Sequence, residues 1–223
     1  MSTSQQPMRK QSGRSGTPFQ LACKRLIDIA VSLICLLVLS PVLLAVAACI
    51  MLEDGRPVMF RQKRSGRGDT VFHIYKFRSM TNKPSAPSAA AANPYTWKNG
   101  VPDDFVFKSS ALDNPNITKT GRFIRKYSLD ELPQFLNVLK GDMSLIGPRP
   151  EIIEITRCYN ANQRKRLAVK PGISGLAQVN GRSLNHGEKI RHDLDYVERF
   201  SLRLDLKIIL KTISSVFRAG DAV

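Results

Sequence analysis

Residues 29–52 read IAVSLICLLVLSPVLLAVAACIML and contain no charged side chain. The run is about the length of a bilayer-spanning helix. It is too long for a signal-peptide core, and no small-residue cleavage site follows it cleanly; a buried core helix is the alternative. Ser40-Pro41 falls in the middle. A proline there removes the hydrogen bond its amide would make to the Leu37 carbonyl and crowds that turn, so a break or sharp kink is expected. Each half then spans roughly 17 Å, about half a bilayer.

The flanks bear on direction. Upstream stand Arg9, Lys10, Arg14, Lys24 and Arg25, with no acid before Asp28; downstream stand Arg56, Arg61, Lys63, Arg64 and Arg67, diluted by Glu53, Asp54 and Asp69. Positive charge favours the cytoplasmic side of a membrane, and both flanks carry it. A helix–break–helix hairpin that dips in and returns satisfies both. A kinked single span, in which prolines are tolerated, is the competing reading.

Across all 223 residues, 34 Lys and Arg face 18 Asp and Glu, a net charge of +16. Such a field attracts anions, which leaves nucleic acid, anionic lipid or phosphorylated small molecules as partners. Aromatic residues make up 7% with a single Trp, thin for stacking on nucleic-acid bases. Cys23, Cys35, Cys49 and Cys158 form no C-x-x-C pair, which argues against a zinc site or a disulfide framework and fits a reducing compartment.

Residues 1–20 are polar and basic and read as a disordered tail. Val58–Met80 has β-favouring ends around Ser65-Gly66-Arg67-Gly68, so a strand–turn–strand is expected. Residues 81–104 look like an irregular loop or insertion. Helices are expected from about Asp130 to Lys140, closed by Gly141, and over Glu151–Leu167. In Tyr196–Arg218, Leu202, Leu206, Ile209, Ile213 and Phe217 recur at helical spacing, while Arg199, Arg203, Lys207 and Lys211 form an i, i+4 basic stripe. This basic amphipathic helix suits a membrane interface or a surface helix packed on the core.

Chemistry concentrates in SLDELPQFLNVLKGDMSLIGPRP, residues 128–150. Ser128 to Glu131 has the capping-box pattern, but Pro133 would then interrupt the first turns. With Asp130 as N-cap, Pro133 falls where its missing amide costs nothing. Acids at a helix start, with Arg122, Arg125 and Lys126 just upstream, should stay ionised. An ionised carboxylate can attack phosphorus or hold Mg²⁺ against substrate phosphates. His73, His186 and His192 make no metal-spaced set. In Gly147-Pro148-Arg149-Pro150, two prolines fix the backbone around one guanidinium suited to bidentate phosphate binding, or simply form a rigid turn. The turns Lys170–Gly175 and Asn180-Gly181-Arg182 are glycine-rich with nearby cations. In Tyr75-Lys76-Phe77-Arg78 a strand would put both cations on one face.

Taken together and in order, KRLIDIAVSLICLLVLSPVLL, YKFRSM, TKTGRFIRKYSLDELPQFLNVLKGDMSLIGPRPE, KPGISGLAQVNGR and DLDYVERFSLRLDLKII resemble the bacterial sugar transferase family. More narrowly they look like its small monotopic polyprenyl-phosphate phosphoglycosyl transferases. The match runs from about Lys24 to Phe217, with no large multi-span segment ahead of it, so the chain is expected to be the minimal catalytic unit. The resemblance implies an α+β, mainly helical fold. A re-entrant membrane hairpin broken at Ser40 and Pro41 (residues 21–55) would follow the tail. A cytosolic catalytic domain (56–223) with a small β-hairpin, interfacial amphipathic helices and the 81–104 insertion would complete it. It implies transfer of a sugar-1-phosphate from a UDP-sugar to undecaprenyl phosphate with release of UMP, the membrane step that starts an exopolysaccharide or glycoconjugate. Asp130 would be the nucleophile. Glu131 would help bind Mg²⁺ and assist the second step, and Lys76, Arg125, Arg149 and Arg182 would handle phosphates. The enzyme would sit on the cytoplasmic face of the bacterial inner membrane, monotopic, with both termini cytosolic and no nucleic-acid partner. Ser79 stands where Thr is common and Leu176 where Trp often follows the glycine; both bear on the choice of sugar more than on the chemistry. A non-enzymatic, membrane-anchored basic protein is the alternative from another class.

Overall fold

The computed structural model describes residues 16–81, 95–106, 114–181 and 184–219. The chain is mainly helical with short paired strands. It opens with α1 (Pro18–Val38) and α2 (Ser40–Asp54), bent 61° from one another at the expected break. Thr17 and Gln20 form a capping box, so α1 begins inside the stretch expected to be tail. Among the described residues no single helix is long and apolar enough to cross a membrane; the bent pair meets the length and apolar composition of a span only when its two helices are taken together.

Strands β1 (Met59–Ser65) and β2 (Val71–Phe77) pair antiparallel from Met59↔Phe77 to Ser65↔Val71, the expected hairpin. Then come α3 (Lys119–Lys126), capped by the Thr118 hydroxyl, a 3₁₀ turn over Leu129–Glu131, and α4 (Gln134–Lys140). Gly141 ends α4 at φ +88°, the left-handed stop that glycine supplies. Strands β3 (Ser144–Ile146) and β4 (Gly172–Ser174) pair in parallel.

Two expected long helices are divided. In place of one helix over 151–167 stand α5 (Ile153–Thr156) and α6 (Ala161–Arg164), the latter running on into a 3₁₀ turn over Lys165–Ala168, because Asn160 and Gln163 form a capping box that restarts the chain. The C-terminal segment is α8 (His186–Glu198) and α9 (Leu202–Ala219), after the short α7 (Leu176–Asn180). Arg199 closes α8 by bonding Asp195, and the Ser201 hydroxyl accepts the Leu204 amide to open α9. The C-terminal part of the 81–104 segment is packed rather than loose. Tyr95, Trp97 and Val101 join Phe105, Tyr159 and Ile190 in an apolar cluster, while residues 82–94 lie outside the described ones.

The largest core gathers Phe72, Ile74, Val138, Met143, Leu145, Ile146, Tyr196, Phe200 and Ile208. A polar stripe at the start of α1 docks on it. Lys24 donates to the Ile146 carbonyl (3.0 Å) and pairs with Asp205 (2.7 Å). Arg25 donates to the Val138 and Leu139 carbonyls at the C-terminal end of α4 (2.5 and 2.7 Å), where a helix favours a cation. Asp28, fully buried, accepts the Ser144 hydroxyl and the Leu145 amide, each at 3.0 Å. The two cations read from sequence as flanking charges are thus anchored inside the protein.

Candidate active site

Between α3 and α4 the chain turns through Ser128, which holds a left-handed conformation at φ +56°. The Glu131 amide bonds back to the Ser128 carbonyl (3.2 Å), closing the 3₁₀ turn that carries both acids. Neither Ser128 nor Asp130 caps a helix with its side chain, and α4 begins only after Pro133. The expected Asp130 cap is therefore corrected. A left-handed Ser128 reverses the chain directly out of α3, so both carboxylates are released from capping.

Glu131 is immobilised by two cations. Its Oε1 accepts from Lys76 Nζ on β2 (2.7 Å) and from an Arg149 Nη (2.5 Å), while Oε2 makes only a longer contact to Arg149 (3.3 Å). Burial alone would raise the Glu131 carboxyl, but attraction from Arg149 and then Lys76 overrides it and holds the group well below the usual carboxylate range. Asp130 is different. Burial, and then repulsion from Glu131, push its carboxyl above the usual value against the pull of Lys76, Arg125 and Arg149. The expectation that both acids are held ionised by their setting therefore fits Glu131 and runs opposite to the shift at Asp130. Among the described residues no hydrogen bond engages the Asp130 carboxylate, so its oxygens are open to a ligand. Lys76 is itself pushed down, by burial first, with Arg149 adding to the effect and Glu131 opposing it.

Lys76, Arg125 and Arg149 thus all bear on the acid pair. Arg125 is steadied by Ser79, whose hydroxyl accepts from its Nε (2.8 Å). Arg78 is not part of the group. It turns instead to the end of α2, where it bonds the Asp54 and Gly55 carbonyls and pairs with the Asp54 carboxylate. Arg182 lies outside the described residues. Ser40 and Pro41 form the helix break and do not join the cluster.

The Pro-Arg-Pro segment is fixed through its carbonyls, since neither proline can donate. The Pro148 carbonyl accepts the Gly172 amide (2.9 Å), that of Arg149 accepts Arg166 Nη (2.9 Å), and that of Pro150 accepts Arg64 Nη (3.3 Å). The two backbones cross closely here. A Cβ on Gly172 would fall 2.1 Å from the Gly147 amide nitrogen, and one on Gly175 would fall 2.2 Å from the Gly147 carbonyl oxygen. The glycines Gly172 and Gly175 of the Lys170–Gly175 turn are accounted for by this crossing.

The supports Asp28, Arg166 and Asp193, the last an ion-pair partner of Arg166 at 2.6 Å, were not singled out from sequence. Asp28 had a local sign, an acid four residues from Lys24 at the edge of an apolar run. Arg166 and Asp193 are far apart in sequence and carried none. Among the described residues no three or more His, Cys, Asp or Glu side chains gather as a metal cage. Mg²⁺ needs none, because it keeps water and takes one or two carboxylates together with substrate phosphates. The open Asp130 oxygens and the lightly engaged Glu131 Oε2 fit that role.

Residues 19–219 match the family model described as bacterial sugar transferase. The chain is 41% identical over 204 residues to galactosyl transferase CpsE of Streptococcus agalactiae, covering 91% of this chain and 44% of that protein. It is 41% identical over 194 residues to the uncharacterized sugar transferase EpsL of Bacillus subtilis, covering 86% of each. It is also 41% identical over 203 residues to the UDP-glucose:undecaprenyl-phosphate glucose-1-phosphate transferase of Klebsiella pneumoniae, covering 87% of this chain and 40% of that one. The chain thus spans less than half the length of the first and third of these relatives. Matched over almost its whole described length, it belongs to the bacterial sugar transferase family.

Proposed function

We propose that the chain transfers a sugar-1-phosphate from a UDP-sugar to undecaprenyl phosphate, releasing UMP, through a covalent intermediate on Asp130. The observation that carries this is the unequal pair: Glu131 tied down by two cations, and beside it an Asp130 carboxylate without a hydrogen-bond partner among the described residues, facing Lys76, Arg125 and Arg149.

In the first displacement an Asp130 oxygen attacks the phosphorus that carries the sugar. The bond from that phosphorus to the bridging oxygen breaks, and UMP leaves with the electron pair. Lys76, Arg125 and Arg149 offset the charge on the transferring group. In the second, an oxygen of undecaprenyl phosphate attacks the same phosphorus, the Asp130–phosphorus bond breaks, and the carboxylate is restored. Glu131 and Asp130, together with substrate phosphates, would hold Mg²⁺, which would neutralise the pyrophosphate charge.

The reading includes a membrane site on the cytoplasmic face, with α1 and α2 as a re-entrant hairpin. Leu26, Leu33, Ile34, Leu37, Val38, Leu44 and Leu52 are exposed along the pair, and Leu206, Leu210 and Ile213 along α9 beside Arg203, Lys207 and Lys211. Lipid would cover such surfaces.

The test is UMP release from a panel of UDP-sugars with vesicles containing undecaprenyl phosphate. Asp130→Asn should abolish release while the protein still partitions to membranes. Undiminished turnover in that variant overturns the nucleophile, and no release from any sugar by the parent favours a non-catalytic lipid-binding protein.

A further inference from the structure

Arg149 touches Glu131 through a side chain that is half exposed, 50% of its full accessible area. An exposed arginine ordinarily samples many rotamers, and holding one geometry has an entropic cost. Beside its pair with Glu131, what keeps the guanidinium within reach is the placement of its main chain. Arg166 lies behind that main chain, almost fully buried, and reaches three groups. One Nη donates to the Tyr159 hydroxyl (2.6 Å), the other donates to the Arg149 carbonyl (2.9 Å), and the latter also pairs with Asp193 of α8 at 2.6 Å. Asp193 is 1% exposed. A buried arginine–carboxylate pair is a weak source of stability compared with apolar packing, so its presence behind this loop calls for another explanation. A planar guanidinium can direct donors to a phenol and a carbonyl while its charge meets a buried carboxylate; a lysine, with the same charge but a compact head, cannot.

We propose that Arg166, oriented by Asp193 and Tyr159, is a positioning residue that sets the main chain of Arg149 and so seats the Arg149 guanidinium on Glu131. This rests on the transferase reading for its kinetic consequence and on the geometry alone for its structural one. Arg166 touches no reacting group; its effect passes through Arg149.

The test is a double-mutant cycle in vesicles read as kcat and KM for UMP release, joined to nitrogen-15 NMR of the arginine side chains in detergent. Arg166→Lys should lower kcat by about 100-fold, the scale of an ångström-sized misplacement, with KM for the UDP-sugar changed far less. In an Arg149→Lys background the same change should lower kcat by less than about threefold, because the two residues act as one unit. Losses that multiply in the double variant overturn the proposal. If Arg166→Lys does not fold, Tyr159→Phe, which removes a single hydrogen bond, replaces it in the cycle. The NMR arm needs no turnover. Slowly rotating Arg149 Nη signals, identified by their loss in Arg149→Lys, should broaden in the Arg166 or Tyr159 variant. Unchanged signals overturn the proposal, whereas a parent that releases no UMP overturns only the transferase reading.

Discussion

The Ser40 hydroxyl donates to the Leu37 carbonyl at 2.7 Å, the acceptor that Pro41 leaves without its helical partner. The break between α1 and α2 is therefore a satisfied structure, with the serine supplying the hydrogen bond that the proline cannot. In an apolar medium an unpaired carbonyl there would cost several kcal/mol.

Replacing both residues, as Ser40→Ala with Pro41→Leu, should join α1 and α2 into one helix of about 55 Å. In the parent, cysteine tags at positions 5 and 220 are expected to be protected together from an external thiol reagent. In the double variant, one of the two should become reactive from outside.

Chelation should abolish UMP release, and added Mg²⁺ should restore it. Glu131→Gln should raise the Mg²⁺ concentration for half-maximal activity by roughly 10- to 100-fold, the usual cost of disturbing a metal's protein ligand or its support. Titrations of rate against Mg²⁺ for parent and variant decide this, and overlapping curves would remove Glu131 from the metal's shell.

Gly172→Ala should destabilise the fold by about 3 kcal/mol or more, since its Cβ would collide with the Gly147 backbone and with Ser174. Gly68→Ala is the control. That glycine has φ +64° but nothing within 4 Å of the added carbon, so only the conformational cost of about 1 kcal/mol applies. Thermal unfolding in one detergent ranks the two.

Asp28→Leu should cost about 2–4 kcal/mol, because the Ser144 hydroxyl and the Leu145 amide would lose their buried acceptor. The loss should appear in unfolding midpoints and in looser protection of the 144–147 amides in hydrogen exchange.

His186, buried between Tyr159 and Phe105, has its pKa lowered to about 4 by burial and then by Arg166 and Lys189. The unfolded chain binds this proton near pH 6.5 and the folded one only near pH 4. Stability is thus complete above about 6.5 and declines as the pH falls toward 4. His186→Phe should flatten the unfolding midpoint across that window; an equally steep decline would assign the acid sensitivity elsewhere.

The parts legible in the sequence were those set by adjacent residues. Pro41 announced the helix break, Gly141 the end of α4, and the alternation around Gly66 the hairpin. Two local signs were readable and passed over: Asn160 with Gln163, and Asn185 with Glu188, each a capping box that starts a helix. Other features were not local. No propensity demands the left-handed Ser128, and the cations that reach Glu131, Lys76 and Arg149, stand 55 residues before that acid and 18 after it in the chain. Arg25 looked like a membrane flank because the carbonyls it meets on α4 come more than a hundred residues later.

The crossing of the Gly147 and Gly172 segments is made from backbone atoms alone, and that bears on how such a protein can diverge. Ile173 and Leu176 beside it pack against the largest core, so exchanges among apolar residues of similar size there should leave the loop that carries Arg149 in place, provided the glycines stay. Under the proposed function, exchanging Leu176 for the residue a relative carries there should therefore keep turnover while altering which sugar is accepted, because the backbone beneath Arg149 stays where it is.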